Sequence, residues 1–107
     1  MPSKSERTSE YEYSVATLRY LAGLSSGEAM VATIKRRMPD LLKLKPADFE
    51  QSNSRSNELV YQQVVGNIVS HRDLSSENFI NRGLLSWRPR YLAITDAGRA
   101  FLAKLKG

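Results

Sequence analysis

The chain has 107 residues, 41% of them apolar and 25% charged, with a net charge of +5; this suits one domain with its own core rather than two domains or a disordered chain. It has no cysteine and one histidine, His71, which excludes disulfides, thiolate nucleophiles and Cys-based or multi-His metal sites. No apolar run reaches the roughly 20 residues of a membrane span and no signal-peptide pattern opens the sequence, so the expectation is a cytoplasmic binding or regulatory domain with no membrane, metal or cofactor.

Residues 1–9 are polar and aperiodic and read as a flexible tail, with a single domain over 10–107. From Tyr11 a helical period begins, with Tyr11, Val15, Leu18, Leu21 and Ala22 on one side, and it stops near Gly23. Ser26 is placed to cap a second helix from Glu28, whose buried stripe is Met30, Val31, Ile34 and Met38. Lys35, Arg36 and Arg37 then crowd that helix's end, where cations suit the dipole, and Pro39 stops it or restarts a turn. Lys45-Pro46-Ala47-Asp48-Phe49 predicts one short helical turn with proline at its first position.

A polar loop over 51–57 leads into a third helix, Glu58 to about His71, with Ser56 or Asn57 as its N-cap. Tyr61, Val64, Val65 and Ile68 form its apolar stripe, and Leu59, Gln63, Gly66 and Ser70, flanked by Gln62 and Asn67, form the opposite side. A short fourth helix is expected over 77–82, carrying Phe79 and Ile80 and ending at Gly83. Residues 84–88 and 90–95 read as a hairpin whose tip is Arg88-Pro89-Arg90. Thr95 then caps a last helix that buries Ala97, Phe101 and Leu105.

The charge is uneven: residues 84–107 carry Arg88, Arg90, Arg99, Lys104 and Lys106 against Asp96 alone. A local basic surface points to a polyanion, against the plainer reading of a solvated face. Three helices followed by a basic hairpin match a mainly α fold with a small β-hairpin, the winged helix-turn-helix. In that arrangement the later helix enters the major groove and the hairpin reaches flanking phosphates.

Residues from about 28 to 103 resemble the N-terminal winged-helix domain of Mrr-type restriction proteins. The resemblance is carried by the turn over 44–49, the loop over 52–56, the helix over 61–72, Arg82-Gly83-Leu84-Leu85, and Ile94-Thr95-Asp96-Ala97-Gly98-Arg99. It implies a DNA-recognition module, the specificity part of a restriction or defence system or a small transcriptional regulator. The stretch before Gly83 is about two turns longer than in that pattern, and cleavage would need a nuclease in a separate chain.

Candidate DNA-binding residues follow. Gln62, Gln63, Asn67 and Ser70 lie on the outer side of the third helix, where amides suit adenine edges. Arg55 and Asn57 stand before its N-terminus, which favours anions. Arg88 and Arg90 flank the hairpin tip. Trp87 reads as cover for the hairpin, and His71 as a helix-end residue capping carbonyls. No nucleophile–base arrangement, phosphate loop or acid pair is present, so no catalysis is expected. The expected partners are duplex DNA, and a second copy or a separate effector chain. The alternative is a protein–protein interaction or dimerisation module without DNA contact, favoured by outward-facing Leu59 and by the absence of a basic residue in the third helix before Arg72.

Overall fold

The computed structural model describes residues 8–52 and 57–106. Its elements, in order, are α1 (Glu10–Ala22), β1 (Glu28–Met30), α2 (Val31–Leu41), a 3₁₀ turn (Pro46–Phe49), α3 (Val60–Ser70), β2 (Leu85–Arg88), β3 (Tyr91–Ile94) and α4 (Asp96–Lys106). The described chain is thus mainly helical, four α-helices around a small three-stranded antiparallel sheet of order β1-β3-β2. None of its helices is long and apolar enough to cross a membrane.

Strand β1 is the main departure from the sequence reading, which starts the second helix at Glu28. Glu28, Ala29 and Met30 instead pair with Ala93, Leu92 and Tyr91. The α2 helix starts three residues later, and Ser26 accepts from the Glu28 N–H in a turn rather than capping a helix. Three residues are too few to display an alternating pattern, and their helix-compatible side chains join smoothly onto the period of α2. Pro39 does not end α2, which runs on to Leu41 with Leu42 N–H donating to the Met38 carbonyl.

Helix α1 begins with a capping box. The Ser9 hydroxyl accepts from Glu12 N–H and the Glu12 carboxylate accepts from Ser9 N–H. Helix α3 starts at Val60 with Leu59 as its N-cap, two residues later than expected. Between α3 and the hairpin the chain makes a series of turns, with no helix over 77–82. Asn78 organises them: its Nδ2 donates to the Ile68 carbonyl, and its Oδ1 accepts from the N–H groups of Ile80 and Asn81. These side-chain bonds replace the helical ones and still deliver Phe79 to the core.

The core joins Leu18 and Leu21 of α1, Ile34 and Met38 of α2, Val65 and Ile68 of α3, and Leu85 and Leu92 of the sheet, all buried. Each contributes about 2 kcal/mol. Helix α4 buries Gly98 and Leu102 rather than Ala97 and Leu105, and half-buries Phe101 against Phe79. Gly98 sets that rotation. A Cβ there would collide with the Leu84 carbonyl oxygen, so α4 crosses the start of the hairpin at a separation only glycine permits. Thr95 caps α4 as expected, its Oγ1 accepting from Gly98 N–H and donating to the Gly83 carbonyl.

Asp48 is 0% exposed and ties the start of α1 to the 3₁₀ turn. Its carboxylate accepts from Thr8 N–H (3.1 Å), Thr8 Oγ1 (2.6 Å), Tyr13 Oη (2.8 Å) and Lys45 N–H (2.8 Å). Thr8 and Ser9, read in the sequence as the end of a tail, therefore belong to the fold, while residues 1–7 lie outside the described residues. Burial pushes the Asp48 carboxyl up, but the hydrogen bonds from Thr8, Lys45 and Tyr13 outweigh it and hold it below its ordinary 3.8.

Two outcomes follow for stability. Asp48→Asn places an amide N–H against donors and costs about 2–3 kcal/mol in urea unfolding at neutral pH. Because the folded carboxyl is the stronger acid, its contribution is present above the ordinary value and is lost as pH falls through the folded one, so the gap between native chain and variant narrows in acid. Gly98→Ala would gain about 1 kcal/mol in helix propensity. The collision with a backbone carbonyl exceeds that, and a net loss of about 2 kcal/mol or more is expected in the same assay.

Candidate nucleic-acid interface

The hairpin reverses through Pro89 and Arg90. Proline fixes a negative φ at the first turn position, and Arg90 takes φ +76° at the second, a left-handed conformation that type II turns normally give to glycine. The Arg90 carbonyl accepts from Val31 N–H at 2.8 Å, at the first residue of α2. The β1–β3 ladder thus ends by attaching the hairpin tip to the start of α2.

This attachment makes a cleft of about 740 Å³ between the first half of α2, the first turn of α3 and the tip. Lys35, Arg36, Glu58, Gln62 and Arg90 are its polar lining. Lys35 Nζ lies 2.6 Å from Glu58 Oε2, and both side chains are about four-fifths buried, so this cation is already neutralised. Arg36 and Arg90 are exposed and make no ion pair among the described residues. Gln62 Oε1 accepts from Leu59 N–H at 2.8 Å, satisfying one orphan donor at the start of α3 and leaving the amide Nε2 for the cleft.

The remaining expected contact residues are dispersed. Gln63 Oε1 accepts from the buried Ser52 hydroxyl and so anchors the loop before α3. Asn67 is half-buried, and Ser70 donates to the Gly66 carbonyl one turn back; neither lines the cleft. Asn57 is exposed in a turn outside the cleft, and Arg55 lies outside the described residues.

Arg88 turns away from the tip. In the sheet register it shares a face with Glu28 and Tyr91. Its Nε and Nη2 each lie 3.0 Å from a Glu28 carboxylate oxygen, and its guanidinium stacks 3.8 Å from the centre of the Tyr91 ring. It is a cross-sheet clamp. Trp87, on the opposite face, is covered by the Arg72 guanidinium at 4.0 Å. Among the described residues the His71 ring meets Glu10 of α1, with Nδ1 2.9 Å from Oε1, rather than a helix-end carbonyl. The helix-end role falls to Arg72, which donates to the Val69 carbonyl.

The cleft therefore unites Gln62 and Arg90 and adds Lys35 and Arg36, which the sequence assigned to a solvated helix end. With β1 recognised, α2 starts at Val31 and those two residues fall in its second turn; a strand at Glu28–Met30 is the signal that would have placed them. No known protein family, curated protein or solved structure matches this chain.

The turn geometry separates stability from binding. Arg90→Gly removes the cost of a side chain at positive φ, offset in part by the greater freedom of glycine in the unfolded chain. A gain of roughly 0.5–1 kcal/mol in urea unfolding is the expected result.

Proposed function

We propose that this chain is a winged helix-turn-helix module that binds duplex DNA. The α2–α3 pair serves as the helix-turn-helix and β2–β3 as the wing. One observation carries the reading: two unpaired arginines, Arg36 from α2 and Arg90 from the hairpin tip, line one cleft with Gln62 at the start of α3. The left-handed Arg90 supports it, because glycine would fit that turn better and only the side chain accounts for arginine there.

In this reading Arg36 and Arg90 neutralise phosphates, and the α3 N-terminus is aimed at the backbone between them. Gln62 acts as a donor through Nε2 alone, since its oxygen is held by Leu59 N–H. It thus suits a purine acceptor such as N7 rather than the bidentate adenine contact expected of a free glutamine. Arg88 has no direct part, its charge being matched by Glu28. The roles implied by the Mrr-type resemblance, restriction specificity or regulation, remain part of this proposal.

Fluorescence anisotropy with a mixed-sequence duplex of about 20 base pairs tests the reading. The native chain should bind at low salt and weaken steeply as salt rises. Arg36→Ala with Arg90→Ala should lower affinity by tenfold or more and reduce the log–log salt slope by about 2, whereas Arg88→Ala should leave the slope nearly unchanged. A native chain that fails to bind duplex at low salt overturns the proposal and favours the protein-interaction alternative.

A further inference from the structure

We infer that the cleft also reads the 5-methyl group of thymine, with Met30 as the contact residue; this rests on the DNA-binding reading above and names a base that the site favours. The helical period of the sequence assigns Met30 to a buried stripe, but the structure makes it the last residue of β1. Its partner across the ladder is Tyr91, which pairs in turn with Arg88. Cross-strand partners share a face of a sheet, so Met30 stands with Glu28, Arg88 and Tyr91 on the solvent face. It is 39% exposed, although methionine is ordinarily a core residue. There it lines the cleft with Val31 and the exposed Ala32, in company with Arg36, Gln62 and Arg90.

The polar residues of the cleft leave a gap in recognition that this apolar strip fills. Arg36 and Arg90 suit phosphates, which carry no sequence information. Gln62 offers a donor through Nε2, its oxygen being held by Leu59 N–H. Adenine and guanine both present N7 as an acceptor, so a lone donor does not separate them. The strip from Met30 to Ala32 offers a base edge only apolar surface. At the major-groove edge of duplex DNA the apolar group is the thymine methyl. The unbranched thioether of Met30 can settle against so small a target without a preformed pocket. A purine-directed donor and an apolar contact in one cleft thus supply a preference that its cations cannot.

Enrichment of the native chain's ligands from a random pool of duplexes, followed by anisotropy on the enriched duplex, tests the inference. Thymine should recur at a fixed position. Replacing it by uracil, which lacks only the methyl, should weaken binding about fourfold, the worth of one buried methyl group. Replacing it by 5-bromouracil, whose bromine fills the same space, should restore affinity. Met30→Gln should bind the thymine and uracil duplexes alike while its log–log salt slope stays native, because no phosphate contact has gone. Met30→Leu should keep the difference, and circular dichroism checks that both variants fold. The uracil comparison uses the native chain and is independent of the variants. An enriched set without a fixed thymine, equal affinity for thymine and uracil, or a thymine preference that survives in folded Met30→Gln overturns the inference and leaves salt-dependent duplex binding standing. A native chain that binds no duplex at low salt overturns the DNA-binding reading and this inference with it.

Discussion

The pairing of β1 with β3 is the constraint on which the rest of the molecule depends. Three residues, Glu28–Met30, join the edge of a hairpin that lies about sixty residues away in the chain. Without them the hairpin would be a two-stranded ribbon, which is marginal in water on its own. With them the ladder runs from the Gly27 carbonyl, which accepts from Ile94 N–H, to the Arg90 carbonyl, which accepts from Val31 N–H. The second bond reaches the first residue of α2, so the position of the hairpin tip is fixed relative to the helix pair. The Glu28–Arg88 bridge spans the same three strands on the solvent face. Being exposed, it contributes little to stability and serves chiefly to hold register.

The opposite end of the molecule is organised by Asp48. A buried carboxylate would be destabilising alone, and here each oxygen accepts two hydrogen bonds. The donors are Thr8, just ahead of the α1 N-cap, Tyr13 within α1, and Lys45 at the start of the 3₁₀ turn. That turn in turn packs on α3, with the Phe49 and Tyr61 rings meeting edge to face at 5.7 Å. Asp48 thus sets the approach of the chain to α3, as β1 sets the approach to α2. The two helices that line the cleft are positioned by different chemistry, one by a sheet ladder and one by a polar knot.

The long amphipathic elements were legible in the sequence because they are periodic. The stripe over Tyr61, Val64, Val65 and Ile68 predicted α3, and Ile34 with Met38 predicted the buried side of α2. The Pro-Arg tip, the Thr95 cap and the 3₁₀ turn at Pro46 were legible through turn and cap chemistry. What was not legible depends on contacts distant in sequence. Strand β1 exists because β3 is there to pair with it. The Asn78 turns replace a helix through a bond back to the Ile68 carbonyl. The α4 helix rotates away from its expected face because Gly98 meets Leu84. At the candidate site the same limit decided which residues met: Arg90 and Gln62 were in view, whereas Lys35 and Arg36 depended on where α2 begins.

The arginines show why a charge count overstates a binding surface. Arg88 is matched by Glu28 and lies over Tyr91, Arg72 covers Trp87 and donates to a helix end, and Arg82 lies near the rings of Phe79 and Phe101. These guanidiniums act as planar, partly apolar surfaces that shield aromatic rings, a use for which lysine is poorly suited. Their charges remain, yet their positions are set by the fold and their hydrogen-bonding capacity is partly committed. Arg90 shares the first property, its backbone being held by Val31, but not the second: its side chain projects from a left-handed turn with no acidic partner among the described residues. A cation fixed at its root and free at its tip needs little reordering to meet a phosphate. Among the residues that line the cleft, Lys35 is neutralised by Glu58, which leaves Arg36 and Arg90 as its unpaired cations.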